Sequence, residues 1–282
     1  MPVDIPVQAA KAERLRQLHR GPKILILVNA WDAASARVIE AAGFPAIASS
    51  SAGVAYAFGY PDGQIISREE MLSAISRITS TVDIPVTADM EAGYGSMPRD
   101  MKDFADQLII AGAVGLNLED SGEPSGALTE IPQQVEKIRA LRTAANEAGV
   151  PLVINARTDA LWDQSKKPDE RFAEAVRRGR AYFEAGADCI FVVGAGDSET
   201  ITTLVREIPA PVNILAGPGV PHAKELEALG VRRVSMGSGP VRATMTLTRR
   251  IAEELRDHGT YLNFTEGVMS HAEANALFKA KH

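Results

Sequence analysis

One unit repeats along this chain: an amphipathic stretch, a small-residue turn containing glycine, then a short apolar run. Ala41-Ala42-Gly43-Phe44-Pro45 leads into 46–51, and Ala111-Gly112-Ala113-Val114 into 115–120. Ala185-Gly186-Ala187-Asp188 leads into 189–194, and Leu229-Gly230-Val231 into 233–237. Glycine just past the last helical turn is a helix stop, so each unit reads as helix, turn, strand. All apolar runs together predict eight strands, near 24–30, 46–51, 84–90, 115–119, 151–156, 189–194, 211–216 and 232–236. Most are continuously apolar rather than alternating, as in a parallel sheet buried on both faces. Helical patterns lie between them, near 33–42, 68–81, 98–111, 131–148, 169–185, 198–207, 222–229 and 240–257. Eight β-α units predict a (β/α)8 TIM barrel, α/β in class, as a single domain over 1–282. A doubly wound open sheet is the alternative, weakened because no G-x-G-x-x-G follows the first strand.

Two segments lie outside the eight units. Residues 1–20 predict a leading helix. Residues 264–282 form a C-terminal helical extension with apolar Val268, Met269, Ala276, Leu277 and Phe278. A minimal barrel has no place for it, so it is expected to pack on a neighbouring subunit.

Composition removes several classes of function. A net charge of −6 and an ordinary 45% hydrophobic content give no basic footprint for nucleic acid. The single cysteine, Cys189, excludes an internal disulfide, and it opens the sixth strand as a core residue. No apolar stretch reaches membrane-spanning length, and the first twenty residues lack a signal-type apolar core. The expectation is a soluble, cytoplasmic protein with neither a nucleic-acid nor a membrane partner.

In barrels of this kind the reactive groups stand at the C-terminal ends of the strands. The sharpest such cluster is Asp89-Met90-Glu91-Ala92-Gly93-Tyr94-Gly95. At period two its carboxylates would point to one side of a strand, where they repel unless a cation or proton intervenes. An oxygen-rich pair suits a hard ion such as Mg²⁺. Other strand ends carry Asp32, Ser49 to Gly53, Asn117, Glu119, Asp120, Asn155, Arg157 and Asp159, with Tyr60 and Asp62 in the loop after strand two. Many have plain structural explanations: Asp32 and Asp120 as helix caps, Asp62 as a Pro-Asp-Gly turn residue, Asn155 as a backbone partner, and Asp159 and His222 as surface groups. Arg157 is harder to explain that way. It follows Val153-Ile154 at the mouth and would face three carboxylates, and a substrate carboxylate is a natural partner for its fork.

In this order the clusters resemble the isocitrate lyase/phosphoenolpyruvate mutase superfamily, and its short 2-methylisocitrate lyase-like branch. The matching elements are Ser50-Ser51-Ala52-Gly53, Gly59-Tyr60-Pro61-Asp62, Asp89 to Gly95, Leu118-Glu119-Asp120 and Asn155-Ala156-Arg157-Thr158-Asp159. The resemblance implies a barrel that holds Mg²⁺, with Mn²⁺ as an alternative, through Asp62, Asp89, Glu91 and Glu119. It implies Ser50, Ser51, Ala52, Asn155 and Arg157 as the substrate-binding set, and Asp62, Glu119 and Arg157 as catalytic. It also implies chemistry through an enolpyruvate-type anion, and a homodimer or homotetramer that exchanges a C-terminal helix.

The departures narrow the expected reaction. Lyases of the family carry a K-[KR]-C-G-H lid after strand four, whereas residues 121–128 read Ser-Gly-Glu-Pro-Ser-Gly-Ala-Leu. The sixth strand ends in Val192-Val193-Gly194, where those lyases place a Glu. The lid also lacks the Lys and Asn of phosphonopyruvate-handling members, and Lys166 and Lys167 are poor substitutes. The expected activity is Mg²⁺-dependent cleavage of a C–C bond in a small 2-oxo or 2-hydroxy acid resembling oxaloacetate or a substituted malate. The alternatives are P–C bond chemistry and a non-catalytic α-keto-acid-binding barrel. Tyr60, Glu123 and His222 are the candidate proton donors, and Gly122 and Gly126 the expected lid hinges.

Overall fold

Each continuously apolar run becomes a strand, because a strand covered on both faces leaves few positions for water-seeking side chains. The computed structural model describes residues 3–95, 97–122 and 127–279. Its strands are β1 (Leu25–Leu27), β2 (Asn29–Ala30), β3 (Ile47–Ser49), β4 (Val86–Asp89), β5 (Gly115–Glu119), β6 (Ser121–Gly122), β7 (Ala127–Leu128), β8 (Val153–Thr158), β9 (Cys189–Val192), β10 (Val212–Leu215) and β11 (Arg233–Ser235). All but β6 and β7 are parallel, in the order β1-β11-β10-β9-β8-β5-β4-β3-β2. Only Val28 separates β1 from β2. One pairs with the last strand and the other with β3, so this single stretch closes the barrel.

The helices alternate with the strands: α1 (Ile5–Arg20), α2 (Ala33–Ala41), α3 (Ser51–Ala57), α4 (Arg68–Thr81), α5 (Asp100–Ile110), α6 (Ile131–Glu147), α7 (Pro168–Glu184), α8 (Ser198–Glu207), α9 (Ala223–Ala228) and α10 (Gly239–His258). They stop where the repeats predict. Gly112, past α5, has φ +87°, and a Cβ there would lie 2.6 Å from the Thr79 hydroxyl. Glycine is therefore required both by backbone and by packing. Helix α1 seals the N-terminal end: Leu15 is fully buried, and its Cδ2 lies 3.0 Å from where a Gly115 Cβ would be. Cys189 is buried, as expected of a core residue. No helix among the described residues is long and apolar enough to cross a membrane.

Three elements were not legible in the sequence pattern: α3, a 3₁₀ turn at Ala160–Trp162, and the antiparallel β6–β7 hairpin. The hairpin is the root of the expected lid, and Gly122 sits in its ladder opposite Ala127. Glu123, Pro124, Ser125 and Gly126, including one expected hinge and one candidate proton donor, lie outside the described residues.

The chain's end departs from a minimal barrel. Among the α10 residues only Val241 and Glu254 are buried, while Met245, Leu247 and Leu255 are exposed. Glu254 folds the next segment back: it accepts from the Leu262 and Asn263 backbone N–H groups at 2.7 and 2.9 Å. The 264–282 extension contains the end of α11 (Leu262–Thr265) and then α12 (His271–Ala276). Its far end is tied to this chain's own barrel, since Arg37 Nε donates to the Leu277 carbonyl at 2.8 Å.

Candidate active site

The parallel register sets the side-chain neighbours at the barrel mouth. Asp89 lies beside Asn117, and Glu119 beside Arg157. Asp89 ends β4 and is almost saturated: one oxygen accepts from the Ser51 N–H (3.1 Å) and hydroxyl (2.9 Å), the other from Asn117 Nδ2 (3.1 Å). Ser50 caps α3 by accepting from the Gly53 N–H at 3.2 Å, which turns the Ser51 N–H toward Asp89. The implied Ser50–Ala52 cradle is thus already engaged at Ser51. Asn155 is wholly buried and donates to Asn117 Oδ1 at 2.7 Å, so it supports the site from within the barrel. Arg233, also buried, reaches the same oxygen at 3.2 Å.

Glu91 is placed differently from the period-two expectation. The strand ends at Asp89, and Glu91 sits in a turn with φ +50°. Its carboxylate nonetheless enters the same region, because Lys137 Nζ holds the Ala92 carbonyl at 2.6 Å and the Glu119 N–H holds the Glu91 carbonyl at 2.9 Å. Gln64 and Tyr94 share the left-handed region, and the Tyr94 N–H donates to Gln64 Oε1 at 3.4 Å. These are the only non-glycine residues of positive φ among the described residues, and backbone strain of this kind persists where surrounding structure imposes it. Both Glu91 carboxylate oxygens are buried without a hydrogen-bond partner. Burial, opposed by the nearby Gln64 backbone N–H and reinforced by the charges of Asp89 and Asp62, pushes this carboxyl up to about 7.

Glu119 is pushed up to about 8, mainly by burial, against the pull of Arg157. Its Oε2 pairs with Arg157 Nη1 at 2.7 Å. Asp159, expected as a surface group, instead grips the guanidinium with two bonds of 2.7 and 2.8 Å. Two carboxylates pair directly with Arg157, and the charges of Asp89 and Glu91 also act on it. Burial opposes its charge, but Glu119 and Asp159 outweigh that and hold its pKa above the ordinary range. Asp120 caps no helix. It is fully buried and accepts from Arg178 (3.0 Å), Tyr182 (2.7 Å) and the Asp159 N–H (3.1 Å).

These groups border a cleft of about 610 Å³, lined among others by Ser51, Asp62, Glu91, Glu119, Ser121, Leu128, Arg157, Asp159, Trp162 and Lys166. A groove of about 550 Å³ at the barrel's other end has no carboxylate among its described lining residues. The mouth is therefore where the chemistry-bearing groups converge. Asp62 does reach it, and so does Lys166, whose Nζ is 3.0 Å from Asp163. Tyr60 instead donates to Glu70 at 3.3 Å, and exposed His222 precedes α9 with its N–H on Glu225. Asp32 is the cap of α2, accepting from the Ser35 N–H at 2.7 Å.

Among the described residues no three acidic, histidine or cysteine side chains converge closely enough to make a formed metal site. Asp89 is turned to Ser51 and Asn117, and Glu119 to Arg157. The donor chemistry still fits a hard divalent cation: every acid at the mouth offers oxygen, and Glu91 holds two buried oxygens lacking partners.

The family model for phosphoenolpyruvate phosphomutase matches residues 15–256. A solved structure from Burkholderia cenocepacia J2315, assigned as a lyase/mutase, superposes with TM-score 0.90 at 34% identity over 98% of both chains. The 2,3-dimethylmalate lyase of Eubacterium barkeri is 31% identical over 78% of this chain and 77% of its own. The phosphoenolpyruvate phosphomutase of Streptomyces hygroscopicus is 30% identical over 88% of this chain and 81% of its own. The chain therefore belongs to the phosphoenolpyruvate phosphomutase family, within the isocitrate lyase/PEP mutase superfamily.

Proposed function

We propose that this protein is a Mg²⁺-dependent lyase that cleaves a C–C bond in a small 2-oxo or 2-hydroxy dicarboxylic acid of the oxaloacetate or substituted-malate type. The observation that carries the reading is the buried, unpartnered Glu91 carboxylate, set among other acids at one side of a cleft that also holds a guanidinium. Glu91, with Asp89, Asp62 and Glu119, would hold the ion. When bound, Mg²⁺ supplies Lewis acidity toward the charge of an enolate. The rest falls to the chain. Arg157 orients a substrate carboxylate, and Glu119 and Asp159 fix the plane of its fork. Ser51 and Asn117 hold the Asp89 carboxylate in one rotamer. The similarity to a dimethylmalate lyase supports C–C cleavage of a substituted malate.

Lys166 at the cleft, together with the similarity to a phosphomutase, favours a second reading, P–C bond chemistry on a phosphonate. One assay separates the two. The purified protein is incubated, with and without Mg²⁺, with oxaloacetate, malates, 2,3-dimethylmalate, isocitrate, 2-methylisocitrate and phosphonopyruvate, and products are quantified. Mg²⁺-dependent cleavage of a C4 to C6 dicarboxylic acid is expected, with no turnover of the tricarboxylates or of phosphonopyruvate. Turnover of phosphonopyruvate alone would replace the first reading with the second. No turnover at all would favour a binding barrel.

The quaternary part of the proposal is a homodimer or homotetramer built on the exposed apolar side chains of α10 and the tail. Sedimentation velocity reads it directly, and a monomer at micromolar concentration would remove it.

A further inference from the structure

Among the described residues that line the cleft, Trp162 is the one aromatic side chain, set among charges, and three observations bear on it. The 3₁₀ turn directly after β8 is held by a 2.8 Å bond from the Trp162 N–H to the Asp159 carbonyl. That turn places the indole beside Arg157, whose guanidinium carbon is 5.7 Å from the ring centroid. Just past β9, Gly194 has φ +96°, and a Cβ there would lie 2.9 Å from both Cδ1 and Nε1 of Trp162. The indole therefore fills the room that any side chain at the end of β9 would need. Finally, Trp162 remains 48% exposed while lining the cleft, so its open face is presented to whatever enters.

We propose that Trp162 is a specificity-determining residue that limits this cleft to small dicarboxylic acids and bars tricarboxylic ones; this rests on the lyase reading above. A substrate whose carboxylate reaches Arg157 must lay its neighbouring carbon against the indole. A methylene or methyl group gains apolar contact there. A third carboxylate in that place would lose hydration without gaining a donor, and it would meet the negative face of the ring. Volume and electrostatics thus act in the same direction.

Malate and isocitrate are the matched probes, since isocitrate is malate carrying a carboxymethyl group. Binding is measured at fixed free Mg²⁺ by calorimetry on the wild type, Trp162→Phe and Trp162→Ala. Intrinsic fluorescence is followed in parallel, with Trp162→Phe isolating the contribution of Trp31. The wild type should bind malate about tenfold or more tighter than isocitrate. Trp162→Ala should erase most of that ratio, and Trp162→Phe should keep it. Malate should also change the wild-type emission, and Trp162→Phe, which leaves Trp31 alone, should lose that change. An unchanged ratio in Trp162→Ala, or malate binding that leaves the Trp162 emission unmoved, would overturn the inference while leaving the lyase reading intact. Binding of neither acid by the wild type would overturn this inference, and the lyase reading falls only if the turnover assay also shows no cleavage.

Discussion

Glu91 and Asp120 are both buried carboxylates next to the barrel mouth, yet their surroundings are opposite. Asp120 receives a guanidinium, a phenol and a backbone N–H, all within 3.1 Å. Glu91 has the Gln64 backbone N–H nearby but no hydrogen bond of normal geometry on either oxygen, and it stands on a left-handed turn. A buried polar group that is fully served adds order, while one left unserved costs free energy. Asp120 is a brace. It fastens the Asp159 backbone and, through Arg178, the Thr129 carbonyl beyond the β6–β7 hairpin (2.7 Å). Glu91 is a group awaiting a partner. Both are buried, so burial alone does not separate structure from function here; the inventory of partners does.

The largest expected effect lies on the mouth side. Asp89→Ala removes the acceptor that Ser51 and Asn117 share, and turnover should fall by about 10³ or more, roughly 4 kcal/mol of transition-state stabilisation. Mg²⁺ affinity measured by calorimetry should fall with it, while far-UV circular dichroism stays that of a folded barrel. Unchanged Mg²⁺ affinity would take Asp89 out of the ion site.

On the brace side the effect should appear in stability. Arg178→Met leaves the Asp120 charge buried without its cation, and breaking a buried pair in this way costs about 3–5 kcal/mol. Chemical denaturation should read that loss. An unmoved midpoint would mean that Tyr182 and the Asp159 N–H suffice, and the contrast with Glu91 would weaken.

The smallest effect sharpens the comparison through pH. Glu91 has a folded pKa of about 7, above its unfolded value of 4.5, so between these values the native state binds the extra proton. This group therefore imposes no penalty below about pH 4.5, destabilises progressively as pH rises, and imposes its full penalty above about pH 7. In the metal-free protein Glu91→Gln should match the wild type in stability near pH 4.5 and exceed it by up to about 3 kcal/mol at pH 8. Thermal melts across that range test it. A wild-type excess at pH 8 would show that Glu91 is satisfied after all.

The sequence carried much of this plan because periodicity and helix stops are local. The eight apolar runs and their glycine turns made a parallel barrel legible, and the acids at strand ends pointed to its mouth. Asp32 was legible as a cap for the same reason, its partner Ser35 being three residues away. What the pattern could not supply were the partners. Period two put Asp89 and Glu91 on one strand face, but the strand stops at Asp89 and a positive-φ turn, pinned by Lys137 from α6, carries Glu91 into place. Asp159 looked like a surface residue until the fold brought it against Arg157.

Residue order by itself determined the repeat, the barrel and the end of it that bears the chemistry. Only the tertiary structure decided which acid is a brace and which is left open. Asp120 finds Arg178 and Tyr182 at separations of 58 and 62 residues, and the Trp162 indole, just after β8, meets Gly194, just after the neighbouring β9. Pairings of that kind depend on register and loop path, which side-chain periodicity along one strand does not encode.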